Sequence, residues 1–212
     1  MDADAVEIRV LGCLIEKQRT TPDQYPLSLN SLRLACNQST NRDPIVDYDE
    51  RTIKAALERM GMRGWTRFAS GASSRALKYR HLLDEALGVS DGEISLLAVL
   101  MLRGPQTLGE LKARTERMYS FESLEDVQQT LDALAERELV QRLLRRPGQK
   151  EDRYGQLLGG AEEQPAAPAA EVPVELDRLG ALEQRVEQLE RTVAEFRDRL
   201  YGEGNESTRP NP

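Results

Sequence analysis

The sequence is poor in the side chains that most metal and catalytic sites require. It contains one histidine, His81, and two cysteines, Cys13 and Cys36. Two thiols and one imidazole cannot complete a tetrahedral zinc site without carboxylates, and no ligand spacing is visible. Both cysteines stand among apolar residues, which is typical of small core side chains. We therefore predict no metal and no cofactor.

Motifs of the common enzyme classes are missing as well. The chain has no glycine-rich phosphate loop and no nucleophile elbow. His81 follows a predicted strand, and we expect it to cap or pack rather than to catalyse. The sequence therefore favours a binding protein over an enzyme.

Long apolar runs are also absent. No stretch approaches the roughly 20 residues that a membrane-spanning helix needs. The N-terminus lacks the basic and apolar regions of a secretory signal. The sequence therefore predicts a soluble, cytoplasmic protein with no membrane partner.

Acidic residues exceed basic ones, but unevenly along the chain. The net charge is −7, and residues 161–212 hold 12 acidic against 6 basic residues, so the body is close to neutral. From Gly61 to His81 there is no acidic residue. The basic residues of this acid-free run are Arg63, Arg67, Arg75, Lys78 and Arg80. Such a segment favours contact with phosphates.

What the sequence does contain is one short pattern written twice. In the first copy, residues 6–15 show the apolar spacing of a buried helix. Ser28 can cap a second helix, and residues 49–60 have the spacing of a third. Two strand-like runs follow, joined by a turn at residues 70–73.

The second copy has the same order. Capping boxes at Ser90 and Thr107 open its first two helices, and Ser123 starts the third, before two more strand-like runs. This order is typical of a winged helix. We predict a mainly α fold with small antiparallel β-wings, a tandem winged helix-turn-helix with domains at residues 1–86 and 87–160.

The C-terminal part has a different composition. Residues 161–174 indicate a linker rich in Pro, Ala and Glu, 175–201 a coiled-coil helix, and 202–212 a disordered tail. The apolar seam of the helix alternates spacings of three and four: Leu179, Leu182, Val186, Leu189, Val193, Phe196 and Leu200.

The charges beside this seam predict how two chains would pair. Arg178 and Arg185 fall at heptad position g, and Glu183 and Glu190 fall at position e. These positions attract one another in a parallel pair and repel in an antiparallel one. We therefore predict a parallel homodimer, and the alternative is a helix folded back on the body.

Candidate DNA contacts concentrate in the first copy. Its third helix would be the recognition helix. The polar loop before it carries Gln and Arg, which can read adenine and guanine, although such loops also satisfy buried backbone groups, the interpretation we prefer for Asn37. The candidate residues are Gln38, Arg42, Arg51, Lys54, Arg67, Arg75, Lys78 and Arg80.

The third helix of the second copy is unsuited to this role. Between Glu122 and Glu138 it carries six acidic residues and a single basic one, Arg137. Phosphates would repel such a helix. We therefore do not expect the second copy to read DNA with it.

Several segments of both copies resemble the YceH-like proteins, an uncharacterised bacterial family whose structural members are tandem winged helices. The resemblance covers about residues 5–158 and implies the fold, but no activity. Leu108 departs from the family pattern, where a proline is familiar. The matching segments are Glu16–Gln18, Thr21–Ser28, Ala35–Gln38, Thr40–Arg42 with Pro44, Leu102–Thr107, Gly109–Leu111, Arg117–Tyr119 with Phe121, Arg146–Gly148 and Arg153–Tyr154.

Two functions of different classes remain open. The first is a regulator-like protein that binds DNA through the third helix and wing of the first copy. The second is a protein-docking module or adaptor that does not bind DNA. Wing cations exposed in one patch beside Arg42 and Arg51 would favour the first, and pairing of those cations with the acidic second copy would favour the other. We predict DNA binding.

Overall fold

The computed structural model describes residues 3–69, 77–143 and 151–159. They belong to one compact unit that extends from residue 1 to residue 162. Arg75 lies outside the described residues, as do the predicted linker, the coiled-coil helix with its seam from Leu179 to Leu200, and the tail.

The first half of the unit contains three helices and three short strands. Their order is α1 (Ala5–Thr20), a 3-10 turn (Pro22–Gln24), β1 (Leu27–Ser28), α2 (Leu29–Cys36), α3 (Glu50–Met62), β2 (Thr66–Ala69) and β3 (Lys78–His81). Helix α3 extends two residues beyond the predicted range 49–60, to Met62. Gly64 ends the turn after it, with a φ of +75° that favours glycine.

The second half repeats this order after a short connecting helix, α4 (Leu83–Leu87). It contains α5 (Asp91–Arg103), β4 (Gln106–Thr107), α6 (Leu108–Thr115), α7 (Leu124–Glu136), β5 (Val140–Leu143) and β6 (Arg153–Gln156). Each half therefore reads helix, strand, helix, helix, strand, strand. The structure confirms a mainly helical fold with small antiparallel sheets.

Local side-chain caps fix where the helices begin. The Ser28 hydroxyl accepts a hydrogen bond from the backbone N–H of Ser31 at 3.2 Å and caps α2. Reciprocal capping boxes open α5 at Ser90, α6 at Thr107 and α7 at Ser123. These contacts satisfy N–H groups that lack a partner within the helix, and they confirm the predicted helix starts.

Each half has one three-stranded antiparallel sheet with the same topology, in the orders β1-β3-β2 and β4-β6-β5. The sequence predicted only two strands in each. The additional strands, β1 and β4, are two residues long and carry no periodic signal of their own.

One hydrophobic core runs through both halves. Helix α1 packs against α5, in which every residue from Ile94 to Leu102 is buried. Polar contacts add to this junction, because Arg19 binds Asp91 at 2.5 Å and the backbone N–H of Asp43 donates to Leu102 at 2.8 Å. No helix in the described ranges is long and apolar enough to cross a membrane.

Helix α1 comes close to α5 at Gly12. A Cβ atom there would lie 2.9 Å from the Leu102 side chain and 3.1 Å from the Met101 Cβ. We expect Gly12→Val to lower the free energy of unfolding by about 1–3 kcal/mol, because overpacking forces side chains and backbone apart. Urea denaturation followed by circular dichroism measures this.

Gly109 offers a matched control, because it lies in α6 and a Cβ there would contact nothing within 4 Å. Gly109→Ala should be neutral or stabilising, since alanine is the better helix former. A Gly12→Val protein as stable as the parent would contradict the tight packing of α1 on α5.

Candidate nucleic-acid interface

Helix α3 turns one face to the core and the opposite face to solvent. Asp49 caps it by accepting from the N–H of Thr52 at 2.7 Å. The exposed side carries Arg51 and Lys54, the latter 3.9 Å from Glu58 in an exposed pair of little energetic weight. The buried face consists of Ile53, Ala56, Leu57 and Met60.

The strands β2 and β3 form a hairpin, here called the first wing, beside α3. Arg67 pairs with Arg80 across the hairpin, and Phe68 pairs with Tyr79. Because side chains alternate between the faces of a strand, Arg67, Lys78 and Arg80 share one face, and Phe68 and Tyr79 share the other. The two rings are 5.2 Å apart. The wing therefore has a cationic face and an aromatic face.

An open groove lies between the start of α2, Lys54 of α3 and Tyr79 of β3. Two apolar side chains of this half are unusually exposed, Phe68 at 58% and Leu77 at 61%, and Leu77 lines the groove. The groove is lined by Ser28, Leu29, Asn30, Lys54, Leu77 and Tyr79.

Most of the predicted cations of α3 and the first wing are available to a partner. Within residues 3–69, 77–143 and 151–159, Arg51, Arg67 and Lys78 form no ion pair. Arg80 lies 3.3 Å from Glu85, in a pair whose members are both well exposed. Among the described residues, Arg67, Lys78 and Arg80 therefore form no ion pair with α7.

Arg42 is placed differently from the prediction. Its guanidinium is fully buried and lies 2.6 Å from Glu16 Oε2. It also donates to Gln38 Oε1 at 3.0 Å and to the carbonyls of Ala35 at 3.1 Å and Asn41 at 2.8 Å. Its donors are occupied inside the protein, so the prediction of Arg42 as a DNA contact is corrected. Gln38 is half-buried and serves the same network.

The partner of Arg42 responds to this contact. Burial works against ionisation of the Glu16 carboxyl, but the hydrogen bonds and charge of Arg42, with Lys17 adding to them, lower its pKa below the ordinary value. The carboxylate is therefore charged at neutral pH. The pair ties the loop that precedes α3 to helix α1.

Asn37 holds the same loop by its amide group. Its Oδ1 accepts from the N–H of Tyr48 at 2.9 Å, and its Nδ2 donates to the Tyr48 carbonyl at 2.9 Å and to Asp47 at 3.2 Å. This is the backbone-satisfying role that the sequence favoured for Asn37.

A second network escaped the sequence analysis. Buried Glu7 on α1 accepts from Arg59 and Arg63 of the α3 end, each at 2.9 Å, and Arg59 also binds Asp4. Arg63 lies over the ring of Trp65 as well, 5.1 Å from its centroid. One cation of the acid-free run is therefore engaged internally. The sequence feature that could have predicted this network is Glu7, a carboxylate within the apolar stretch of α1.

The corresponding surface of the second half is acidic. Helix α7 carries Glu125, Asp126, Asp132 and Glu136 and no basic residue. In its hairpin, Arg142 binds Asp152, and Arg153 donates to the Pro105 carbonyl at 3.2 Å. The equivalent helices thus differ in charge, because α3 has three basic residues against two acidic ones whereas α7 has only acidic ones.

The described residues show no arrangement typical of an active site. His81 is buried and bonds Gln18 Oε1 through Nε2 at 2.5 Å, so it packs as expected. Across the three described ranges, no group of three or more His, Cys, Asp or Glu side chains could hold a metal ion.

Known proteins are similar in sequence to this chain over most of its length. The family described as "Protein of unknown function, DUF480" matches residues 3–149. The chain belongs to this family. The match spans the first copy of the element order and the second copy as far as β5.

Individual relatives of the DUF480 chain agree with this assignment. A UPF0502 protein of Solibacter usitatus is 46% identical over 198 residues, which cover 92% of this chain and 96% of the relative. One from Geobacter sulfurreducens is 48% identical, covering 87% and 88%. The UPF0502 protein YceH of Escherichia fergusonii is 44% identical, covering 92% and 93%. The resemblance to YceH-like proteins is confirmed, and none of these names states an activity.

Proposed function

We propose that this chain is a tandem winged-helix protein without enzymatic activity that binds double-stranded DNA through α3 and the first wing. The observation that carries the proposal is the difference in charge between equivalent elements. On the exposed face of α3, Arg51 and Lys54 balance Glu50 and Glu58, whereas α7 is acidic without a basic residue. The wing cations add positive charge beside α3, so this part of the first half suits a polyanion better than α7 does.

Two kinds of contact follow from this surface. The wing cations Arg67, Lys78 and Arg80 would bind phosphates, which supply affinity and register without reading sequence. The exposed face of α3 would lie in the major groove as the recognition helix. Arg51 is the residue of that face best suited to guanine, because a guanidinium can donate two bonds to its edge.

We expect Arg67→Ala/Lys78→Ala to weaken binding to duplex fragments most strongly at low salt. Each lost phosphate contact lowers the slope of log affinity against log salt by roughly 0.9. Fluorescence anisotropy titrations between low and moderate salt measure both quantities. Loss of both contacts should therefore reduce the slope by about 1.8.

The matched control is Arg117→Ala/Arg142→Ala, which removes the same charge from exposed positions of the second half. It should leave the slope unchanged. A parent protein that does not bind duplexes at low salt, or equal losses in the two double variants, would reject the proposal. The protein-docking alternative would then gain, since Phe68 and Leu77 offer an exposed apolar surface.

We also propose a parallel homodimer through residues 175–201, which lie outside the described residues. The support is the heptad seam and its flanking charges. Leu189→Asp should convert the protein to a monomer in sedimentation velocity experiments, because it places a charge at a central d position. An unchanged dimer would place the interface elsewhere in the chain.

A further inference from the structure

Tyr79 is a buried side chain of the groove at the start of α2, and its hydroxyl has no hydrogen-bond partner among the described residues. The residue is 4% exposed, and its ring lies 5.2 Å from that of Phe68. A buried tyrosine hydroxyl usually finds a partner. Because Tyr79 lines the groove together with Lys54, its hydroxyl can meet a ligand there.

The second half shows how the equivalent hydroxyl is satisfied within the fold. Tyr154 has the same register position as Tyr79, because each pairs with the first residue of the two-residue strand beside it. The Tyr154 hydroxyl donates to Gln128 Oε1 of α7 at 2.9 Å. Gln128 is the fifth residue after the N-cap of its helix, as Lys54 is in α3. The first half therefore has an ammonium group, which cannot accept, where the second half has an acceptor.

The start of α2 supplies further donors to the same groove. Ser28, the N-cap, and Leu29 and Asn30, the first two helical residues, line it. The Ser28 hydroxyl accepts from the N–H of Ser31, whereas the N–H groups of Leu29 and Asn30 have no acceptor within the helix. The partial positive charge of a helix N-terminus adds to such donors and favours an anion.

Lys54 brings a full positive charge to the groove. Its Nζ lies 3.9 Å from Glu58, in a pair whose side chains are 61% and 60% exposed. Such a pair has little energetic weight, so the carboxylate can turn to solvent when another anion reaches the ammonium. Burial, with the charge of Glu58 adding to it, raises the pKa of Tyr79 above its ordinary value, so the hydroxyl keeps its proton. The tyrosine, the ammonium and the helix start therefore all offer donors.

We propose that this groove binds one phosphodiester group of a DNA strand. The Tyr79 hydroxyl and the Lys54 ammonium donate to the phosphate oxygens, as do the N–H groups that start α2. The apolar side chains of Leu29 and Leu77 pack against the deoxyribose beside that phosphate. This inference rests on the proposed function and adds one phosphate contact to those of the wing cations.

Tyr79→Phe tests the hydroxyl alone, in the full-length protein and with a fluorescently labelled duplex of random sequence. It should bind the duplex about tenfold more weakly, because a hydrogen bond to a charged phosphate is lost. Its stability and the slope of log affinity against log salt should match those of the parent, since the variant removes no charge. Lys54→Ala should lower that slope by roughly 0.9. Anisotropy titrations measure both quantities, and urea denaturation measures the stability.

Two changes in the second half are matched controls. Tyr154→Phe removes the equivalent hydroxyl and should bind DNA as the parent does. Asn30→Asp places a carboxylate in the first turn of α2, which favours the helix but repels a phosphate, so affinity should fall by more than about tenfold. Gly109→Asp is the same change at the second residue of α6 and should have no such effect.

The outcomes separate this contact from the proposed function. If the parent binds the duplex and Tyr79→Phe binds it equally well, the groove contact is overturned and DNA binding stands. Equal losses in Tyr79→Phe and Tyr154→Phe would overturn it too. A parent that does not bind duplexes rejects both proposals. If Tyr79→Phe does not fold, Asn30→Asp decides, because affinities equal to those of Gly109→Asp would place the phosphate elsewhere.

Discussion

Replacing Arg42 with alanine is expected to lower the free energy of unfolding by about 3 kcal/mol, because the change leaves the largely buried Glu16 carboxylate with only Lys17, 3.5 Å away, as a charged partner. The guanidinium binds both oxygens of Glu16, at 3.1 and 2.6 Å, and two backbone carbonyls. All these acceptors would lose a charged donor in a site with little access to water. Urea denaturation at neutral pH measures the loss.

Exposed Arg51 is the control for this substitution. It forms no ion pair among the described residues, and Arg51→Ala should change stability by less than about 0.5 kcal/mol. The apolar replacement Arg42→Met/Glu16→Leu should recover much of the loss, because it removes both charges together. If Arg42→Ala leaves stability intact and abolishes DNA binding, the original prediction of Arg42 as a DNA contact is right after all.

The misplacement of Arg42 shows where sequence reasoning stops. The loop from Asn37 to Arg42 is recognisably polar, and polar loops face either a ligand or their own backbone. The deciding partner, Glu16, lies 26 positions earlier on another helix. No local sequence pattern indicates a contact between residues this far apart in the chain. Only the folded structure therefore shows that the Arg42 side chain points inward.

The helix starts, unlike the position of Arg42, could be predicted from the sequence. The boxes at Ser90 and Thr107 each close within three residues. Such contacts depend on the chain's own neighbours, so the sequence is enough to predict them. Helix α4 was not predicted, because it has five residues, fewer than two turns, and no side chain caps its start.

The shared core was foreseeable in part. Two separate winged helices would give each helix one apolar stripe, but residues 94–102 of α5 are buried on every side. Their apolar run, which only Ser95 interrupts, is typical of a helix enclosed by its neighbours. This run does not indicate which helix packs against α5. Only the fold shows that it is α1, which comes close to α5 at Gly12.

The charge pattern of the first wing predicted only part of what the structure shows. The acid-free run predicted cations near α3, but it did not assign them to a face of the hairpin. The register that opposes Arg67 to Arg80 sets them on the face away from Tyr79. Lys54 shares its groove with Leu29, Leu77 and Tyr79, and Arg67, Lys78 and Arg80 are not among the lining residues.

Acid is expected to destabilise the protein through His81 before most carboxylates titrate. Burial is the main cause that lowers the pKa of His81 from 6.5 to about 4; Asp84 opposes it, and the charges of Arg19 and Arg80 add to it. Its Nδ1 has no hydrogen-bond partner among the described residues, and the nearest carboxylate oxygen of Asp84 is 3.5 Å away. The folded protein therefore holds this ring neutral.

The sign of the pH effect follows from that difference. As pH falls through about 6.5, the unfolded chain binds a proton that the folded chain refuses until about pH 4. The free energy of unfolding should therefore decrease by about 1.4 kcal/mol per pH unit across this window, about 3 kcal/mol in all. Above pH 7 the histidine should have no effect on the slope.

His81→Asn isolates this contribution, because asparagine does not titrate and can still donate to Gln18. The variant will be less stable at neutral pH, so the informative quantity is the slope of its unfolding free energy between pH 6.5 and 4.5. That slope should be nearly flat, since the carboxylates Glu16, Asp49 and Asp91 have lowered pKa values and lose their contributions at more acid pH. Parallel slopes for the two proteins would show that the buried ring accepts a proton in the folded state.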